Sequence, residues 1–310
     1  MKRTIVVVCG PTAVGKTKYA IEIANALSGE VVSSDSMQLY KFMDIGSAKP
    51  TKEEQAMCPH HLVDLIDPRE PFSVARFQTL AKDAINDIFN RGKVPVISGG
   101  TGLYVNSLIY DMDFSAPPGD EEERKRLYDL AEEHGCEYVH NILAEKDSEA
   151  AARIHPNNLK KVIRAIEAAD RGQNVPAFEN SFVKTGDYDY ILIGLTRERE
   201  ELYDRINRRV DILLDMGLEA EVKGLLEMGL GEDDISMKGI GYKELIGYFH
   251  GNYDFDEAVR LIKQNTRHLA KRQLTWFRRY PDINWFNISE YENDETCIEV
   301  IIDWLKKKEM

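Results

Sequence analysis

The stretch Gly10-Pro11-Thr12-Ala13-Val14-Gly15-Lys16-Thr17 constrains this chain more than any other. It satisfies GxxxxGK[ST], follows a short apolar run at residues 5–9, and opens a helix-period segment in which Ala20, Ile23, Ala24 and Leu27 share one face. Strand, glycine-rich turn and helix in that order form a phosphate cradle. Backbone amides and the helix N-terminus surround the oxygens, Lys16 adds a full positive charge, and the Thr17 hydroxyl can hold Mg2+. The pattern selects a di- or triphosphate ligand. It leaves open whether the bond broken is P-O, as in a kinase, or C-O, as when diphosphate leaves a carbon.

The surrounding periodicity predicts strands over 31–34, 94–98 and 190–195, a helix over 74–90, and long helices from 199 to about 279. Past Tyr110 the texture changes. Ala116-Pro117-Pro118-Gly119 breaks the pattern, and charge-rich helical periodicity then runs to about Gly172. The expected fold is α/β, a P-loop NTPase-like parallel sheet with flanking helices, plus an inserted all-helical subdomain. Residues 1–112 and 188–310 are assigned to the core, and residues 113–187 to the insertion.

With 53 Asp and Glu against 40 Lys and Arg, the net charge is -13, which excludes a uniformly basic nucleic-acid coat but not one basic face. No apolar run approaches the ~18 residues of a membrane helix, and the N-terminus lacks the pattern of a secretory signal. Cys9, Cys58, Cys136 and Cys297 lie far apart with no CxxC, so neither a zinc ribbon nor a disulfide framework is indicated and a reducing cytoplasm fits.

Three further features carry chemistry, each with a plainer alternative. Residues 94–98 lead into Gly99-Gly100-Thr101 rather than an acid, which disfavours an ATP-driven motor; Thr101 either binds a phosphate or amine or is a surface turn residue. Asp35 sits where the second strand runs out, at the ligand-binding edge of a parallel sheet, either as a general base or as a capping residue. From Val259 to Tyr280 there are seven basic and no acidic residues. Arg260, Lys263, Arg267 and Lys271 recur at spacings of three and four, with Arg272, Arg278, Arg279 and the aromatic Trp276 and Phe277 nearby. That helix either binds RNA phosphates or is a solvated face over the core. The His60-His61 pair lacks a companion metal ligand and reads as structural.

Taken together, Gly10 to Thr17, Asp35-Ser36-Met37-Gln38-Leu39-Tyr40, Asp44-Ile45-Gly46-Ser47-Ala48-Lys49, His60-His61-Leu62-Val63-Asp64 and Gly99-Gly100-Thr101-Gly102-Leu103-Tyr104 resemble the tRNA dimethylallyltransferase family. The likeness continues through Arg153-Ile154-His155-Pro156-Asn157, Gly239-Ile240-Gly241-Tyr242-Lys243-Glu244 and the run from Thr266 to Arg278. Ser47, Val63 and His268 stand where relatives often have Thr, Ile and Gln, and no Cys2His2 finger follows Arg279.

The resemblance implies transfer of a dimethylallyl group from dimethylallyl diphosphate to N6 of adenosine 37 in tRNAs reading UNN codons, with release of diphosphate. A small-molecule kinase using ATP is the alternative. It further implies that Gly10 to Thr17 bind the diphosphate with Mg2+ at Thr17, and that Asp35, Thr101 and Arg197 act at the reaction centre. The flipped adenine would meet Asp35, Ser36, Met37 and Gln38. The insertion would grip the anticodon stem-loop through Arg124, Lys160, Lys161 and Arg164, and the basic helix would engage tRNA through Arg267, Lys271, Arg272, Gln273, Trp276 and Arg278. A cytoplasmic monomer without a membrane partner is expected.

Overall fold

The computed structural model describes residues 3–112, 114, 120–173 and 183–308, and divides into two compact units, Met1–Ile109 with Thr185–Met310, and Tyr110–Lys184. The first unit begins with β1 (Thr4–Cys9), α1 (Lys16–Ala26), β2 (Glu30–Ser33), α2 (Lys52–Met57), β3 (His60–His61), α3 (Val74–Asn90), β4 (Pro95–Gly99) and α4 (Gly102–Ile109). The second unit holds α5 (Glu121–His134), α6 (Cys136–Lys146), α7 (Ser148–Arg153) and α8 (Leu159–Asp170). The first unit resumes with β5 (Asp189–Thr196), α9 (Arg199–Asp215), α10 (Leu218–Glu227), α11 (Tyr242–Phe249), α12 (Phe255–Phe277), β6 (Ile283–Asn287) and α13 (Asp294–Lys306).

β1 is buried along its whole length, as a central strand covered on both faces must be. It pairs in parallel with β4 on one side and β5 on the other, so that Val6 lies opposite both Val96 and Ile191. The six-stranded order is β3-β2-β4-β1-β5-β6. From β1 the chain first moves toward β2 and later toward β5, which makes the carboxyl end of β1 a topological switch point, the usual place for a ligand crevice.

Neither edge strand is anticipated by the periodicity. β3 is only the pair His60-His61, too short to carry an alternating pattern, and it forms because Val31 and Val32 offer it a parallel edge. β6 is half-buried throughout and completes the opposite edge beside β5. The helical unit closes around Leu127, Val139, Leu143, Val162, Ile163 and Ile166, one apolar stripe from each of three helices. The Ala116 to Gly119 break lies outside the described residues. No helix among the described residues is long and apolar enough to cross a membrane.

Candidate active site

At the carboxyl end of β1, Ala13 (φ 63°) and Gly15 (φ 113°) take left-handed conformations, which turns successive amides of the loop toward one point. α1 starts at Lys16 with no acid in its first turn and no side-chain cap, so its leading amides keep their capacity for an anion. Lys16 Nζ donates to the carbonyls of Gly10 (3.1 Å) and Pro11 (2.8 Å). Burial pulls its ammonium down to about 8; the attraction of Asp35 opposes that shift and the repulsion of Arg209 adds to it.

The loop borders a cavity of about 400 Å³, well within the range of small-molecule sites. Thr12, Ala13, Gly15, Lys16 and Thr17 line one part of it, with Asp35 and Gln38 from the turn after β2 and Arg209 from α9. Arg209, Ile212, Leu213 and Met216 all line it, and their spacing of three, four and seven residues places them on one face of α9. Polarity therefore falls along the helix, from a guanidinium beside Lys16 and Asp35 to a methionine ~10 Å further on. Ile45, Ala48 and Pro50 add apolar lining.

Asp35 lines the cavity, whereas Thr101 is not among its lining residues and is joined to it through the turn after β2. Asp35 is not a helix cap; its carboxylate accepts the amide of Met37 at 2.9 Å, a local turn that leaves the side chain on the cavity. The Thr101 hydroxyl accepts from the Ser36 amide (3.1 Å) and donates to Ser36 Oγ (3.3 Å), fastening the turn after β2 to the turn after β4. Gln38 receives the Ser33 hydroxyl at 2.8 Å and donates to Ala48 O at 3.2 Å. Ser34 Oγ, nearby and fully buried, has no hydrogen-bond partner among the described residues.

Several residues assigned from the sequence stand elsewhere. Arg197 does not line the cavity. Its side chain is 6% exposed, and its guanidinium donates to Val14 O (3.2 Å), Glu201 (2.5 Å) and Asp294 (2.5 Å), so it braces the phosphate loop from behind. Arg124 forms a bidentate pair with Glu167. Arg267 donates to Asn207 at 2.6 Å, Lys263 pairs with Asp211 at 2.6 Å, and Arg260 pairs with Glu257, so most of the basic stripe is answered internally. Trp276 is half-buried, with its ring against Gly102. Gln273 is a bridge: its Oε1 accepts the Thr12 amide (2.8 Å) and its Nε2 donates to Gly100 O (3.0 Å). Lys271, Arg272 and Arg278 on α12 and at its end, with Lys160, Lys161 and Arg164 on α8, are exposed and have no side-chain partner among the described residues.

The sequence reasoning missed Arg205, whose Nε donates to Ala13 O at 3.1 Å, and Arg209. Among the described residues no hydrogen bond or ion pair engages the Arg209 guanidinium, and burial, countered by Asp35 and Glu54, depresses its proton affinity. Both belong to a helix rich in acids as well, so no segregation of charge marks them; only their spacing of four, behind a phosphate loop, is a signal.

The site and its sheet have counterparts. A family model described as IPP transferase matches residues 38–280, and one described as isopentenyl transferase matches residues 3–60. The chain belongs to the IPP transferase family. Among its similar IPP transferases, the tRNA dimethylallyltransferase of Alkaliphilus oremlandii is 52% identical over 303 residues, 97% of each chain. That of Clostridioides difficile is 47% identical over 302 residues, again 97% of each. The solved tRNA isopentenylpyrophosphate transferase of Bacillus halodurans superposes with a TM-score of 0.74 at 44% identity, covering 98% of this chain and 96% of its own. A eukaryotic dimethylallyltransferase acting on tRNA gives 0.81 at 26% identity, covering 99% and 81%. In this IPP transferase the phosphate loop, Asp35 and Arg209 share one cavity.

Proposed function

We propose that this IPP transferase moves a dimethylallyl group from dimethylallyl diphosphate to N6 of adenosine 37, beside the anticodon of tRNAs reading UNN codons. The observation that carries the reading is one cavity in which a cationic phosphate cradle, the Asp35 carboxylate and an apolar patch of Ile45, Ala48, Pro50, Ile212, Leu213 and Met216 occur together among other polar groups. The names of its relatives support tRNA as the acceptor and do not favour a small-molecule kinase.

The N6 lone pair attacks C1 of the prenyl group, the C1–O bond breaks with its electrons passing to the bridging oxygen of diphosphate, and the N6 proton passes to Asp35. An aryl amine is a weak nucleophile, so removal of that proton as C–N forms is worth roughly 10²- to 10⁴-fold. Lys16, Arg209 and the loop amides bind the charge that develops on the leaving diphosphate, and Arg197 and Arg205 hold the loop in shape. Ile45, Ala48, Ile212 and Met216 receive the isoprenoid and exclude water, which would capture the same carbon. The base reaches Asp35 by leaving its stack, at a few kcal/mol.

Mg2+ fits the donor set. The Thr17 hydroxyl lines the cavity with no protein partner among the described residues, and no cluster of three acidic, His or Cys side chains there could hold a metal without the substrate's oxygens. Bound beside the diphosphate, Mg2+ supplies charge neutralisation of the leaving group. Lys271, Arg272 and Arg278, with Lys160, Lys161 and Arg164 of the helical unit, are proposed to contact the anticodon stem-loop. The active form is proposed to be a cytoplasmic monomer.

The test is purified protein, radiolabelled dimethylallyl diphosphate and unmodified tRNA carrying A37 or G37. Label in the A37 transcript alone is expected; no label in RNA overturns the reading. At equal concentration, dimethylallyl diphosphate should raise Tm more than ATP does.

A further inference from the structure

One carboxylate outside the cavity controls a wall of it. Glu221, on α10, accepts three consecutive backbone amides: Asp44 (2.8 Å) and Ile45 (2.7 Å) on Oε2, and Gly46 (3.0 Å) on Oε1. The Tyr242 hydroxyl donates to the same Oε1 at 2.8 Å. No cation pairs with Glu221 among the described residues, so four neutral donors alone hold the charge. The fit is close: a Cβ on Gly46 would stand 2.5 Å from the Tyr242 ring, which is fully buried.

The segment so held has no regular structure of its own, yet Ile45 and Ala48 line the apolar part of the cavity. The facing apolar lining is Ile212 and Met216 of α9, which are 55% and 58% exposed. Ile45 also packs against the cluster that contains Leu218 and Tyr242, and Ala48 O accepts from Gln38 at 3.2 Å, so Glu221 is one of several contacts on this wall and the one that holds three of its amides at once. Only Met216 and Gly217 separate α9 from α10, so Glu221 and Met216 belong to one helical corner. The carboxylate therefore ties the loop wall to α10, which follows directly on the helix that carries the opposite wall.

We propose that Glu221 is a positioning residue that sets, through the Asp44–Gly46 backbone, the length of isoprenoid chain the cavity accepts. The proposal rests on the prenyl-transfer reading above. With the clamp intact the apolar space suits a five-carbon chain; with it released the loop wall retreats and a longer chain fits.

The test compares dimethylallyl with geranyl diphosphate, five against ten carbons, in the wild type, Glu221→Ala, Glu221→Gln and Tyr242→Phe. Glu221→Ala is expected to lower kcat/KM for dimethylallyl diphosphate about tenfold, mainly through KM, and to reduce the preference for it over geranyl diphosphate about fivefold or more. Glu221→Gln, which keeps one acceptor oxygen, and Tyr242→Phe, which removes one donor, are expected to fall between it and the wild type, and they carry the test if the alanine variant does not fold. KM for tRNA should change less than KM for the donor, because Glu221 bonds the Asp44–Gly46 backbone and the acceptor turn meets that segment further on, where Gln38 donates to Ala48 O. A chain-length preference unchanged in every folded variant, whatever happens to Tm, overturns the proposal. A wild type that transfers neither group to tRNA overturns the functional reading instead.

Discussion

Lys16 and Arg209, which line the cavity together with Lys18 and Lys49, differ in what already holds them. Lys16 has carbonyl partners and a proton affinity pulled down to about 8, so raising the pH removes its charge in the free enzyme. kcat/KM for dimethylallyl diphosphate is therefore expected to fall as pH rises through about 8. kcat, which reports the complex where diphosphate stabilises the ammonium, should stay flat. Steady-state kinetics between about pH 7 and pH 9 check this, and a flat kcat/KM removes Lys16 titration from donor capture.

Arg209 has no hydrogen-bond or ion-pair partner among the described residues, whereas Arg197 has three. Arg209→Gln should raise KM for the donor by at least about tenfold with little change in Tm, and Arg197→Gln should lower Tm first, because it leaves Glu201 and Asp294 without their cation. Reversed results would exchange their roles. Asp35→Ala should cut single-turnover transfer by ~10²-fold or more while tRNA affinity stays within about tenfold, and normal turnover in that variant would eliminate proton removal by Asp35.

Among the elements, β2 begins on a buried carboxylate. Glu30, 2% exposed, is held by Arg91, by Lys93 at 2.8 Å and by His61 at 2.7 Å, and so links β2 to β3 and to the segment entering β4. The Arg91 guanidinium, aided by Lys93 and His61, holds this carboxyl far below the ordinary range. A depressed carboxyl contributes stability in full above its unfolded value, ~4.3, and loses it as pH falls below that. Glu30→Gln should thus lower stability at neutral pH by on the order of 3 kcal/mol and flatten the acid side of a Tm-against-pH series; an unchanged acid limb would show that other carboxyls govern it.

This network also marks where the sequence stops being legible. The phosphate loop, β1, β4 and α3 are readable because each depends on neighbours within a few residues. The edge strands β3 and β6 depend on an edge built by distant chain, and a two-residue His-His strand has no period. The basic stripe of α12 is visible as a period of three and four, but its answering groups, Asn207 and Asp211, lie on α9, about sixty residues earlier. Charge segregation finds a cationic helix without saying which cations are already paired. The same limit hid Arg209.

For the molecule as a whole, a net charge of -13 repels RNA at long range, so tRNA capture has to rest on the few exposed cations without internal partners. Lys271→Ala, Arg272→Ala and Lys160→Ala should each weaken tRNA binding and lower the slope of log Kd against log salt by about 0.7 to 0.9, whereas Arg260→Ala and Lys263→Ala should leave the slope alone. Filter binding over a salt series separates the two sets, and equal slopes would restore the whole stripe as an RNA face.

Gln273 has a consequence at the same scale. One primary amide on α12 reaches the donor loop with its oxygen and the turn before Thr101 with its nitrogen. The spacing between leaving group and nucleophile is therefore inherited from a single side chain of fixed span. A tilt of that helix displaces both seats together, so the helix whose exposed cations are proposed to meet RNA also holds the two turns in register.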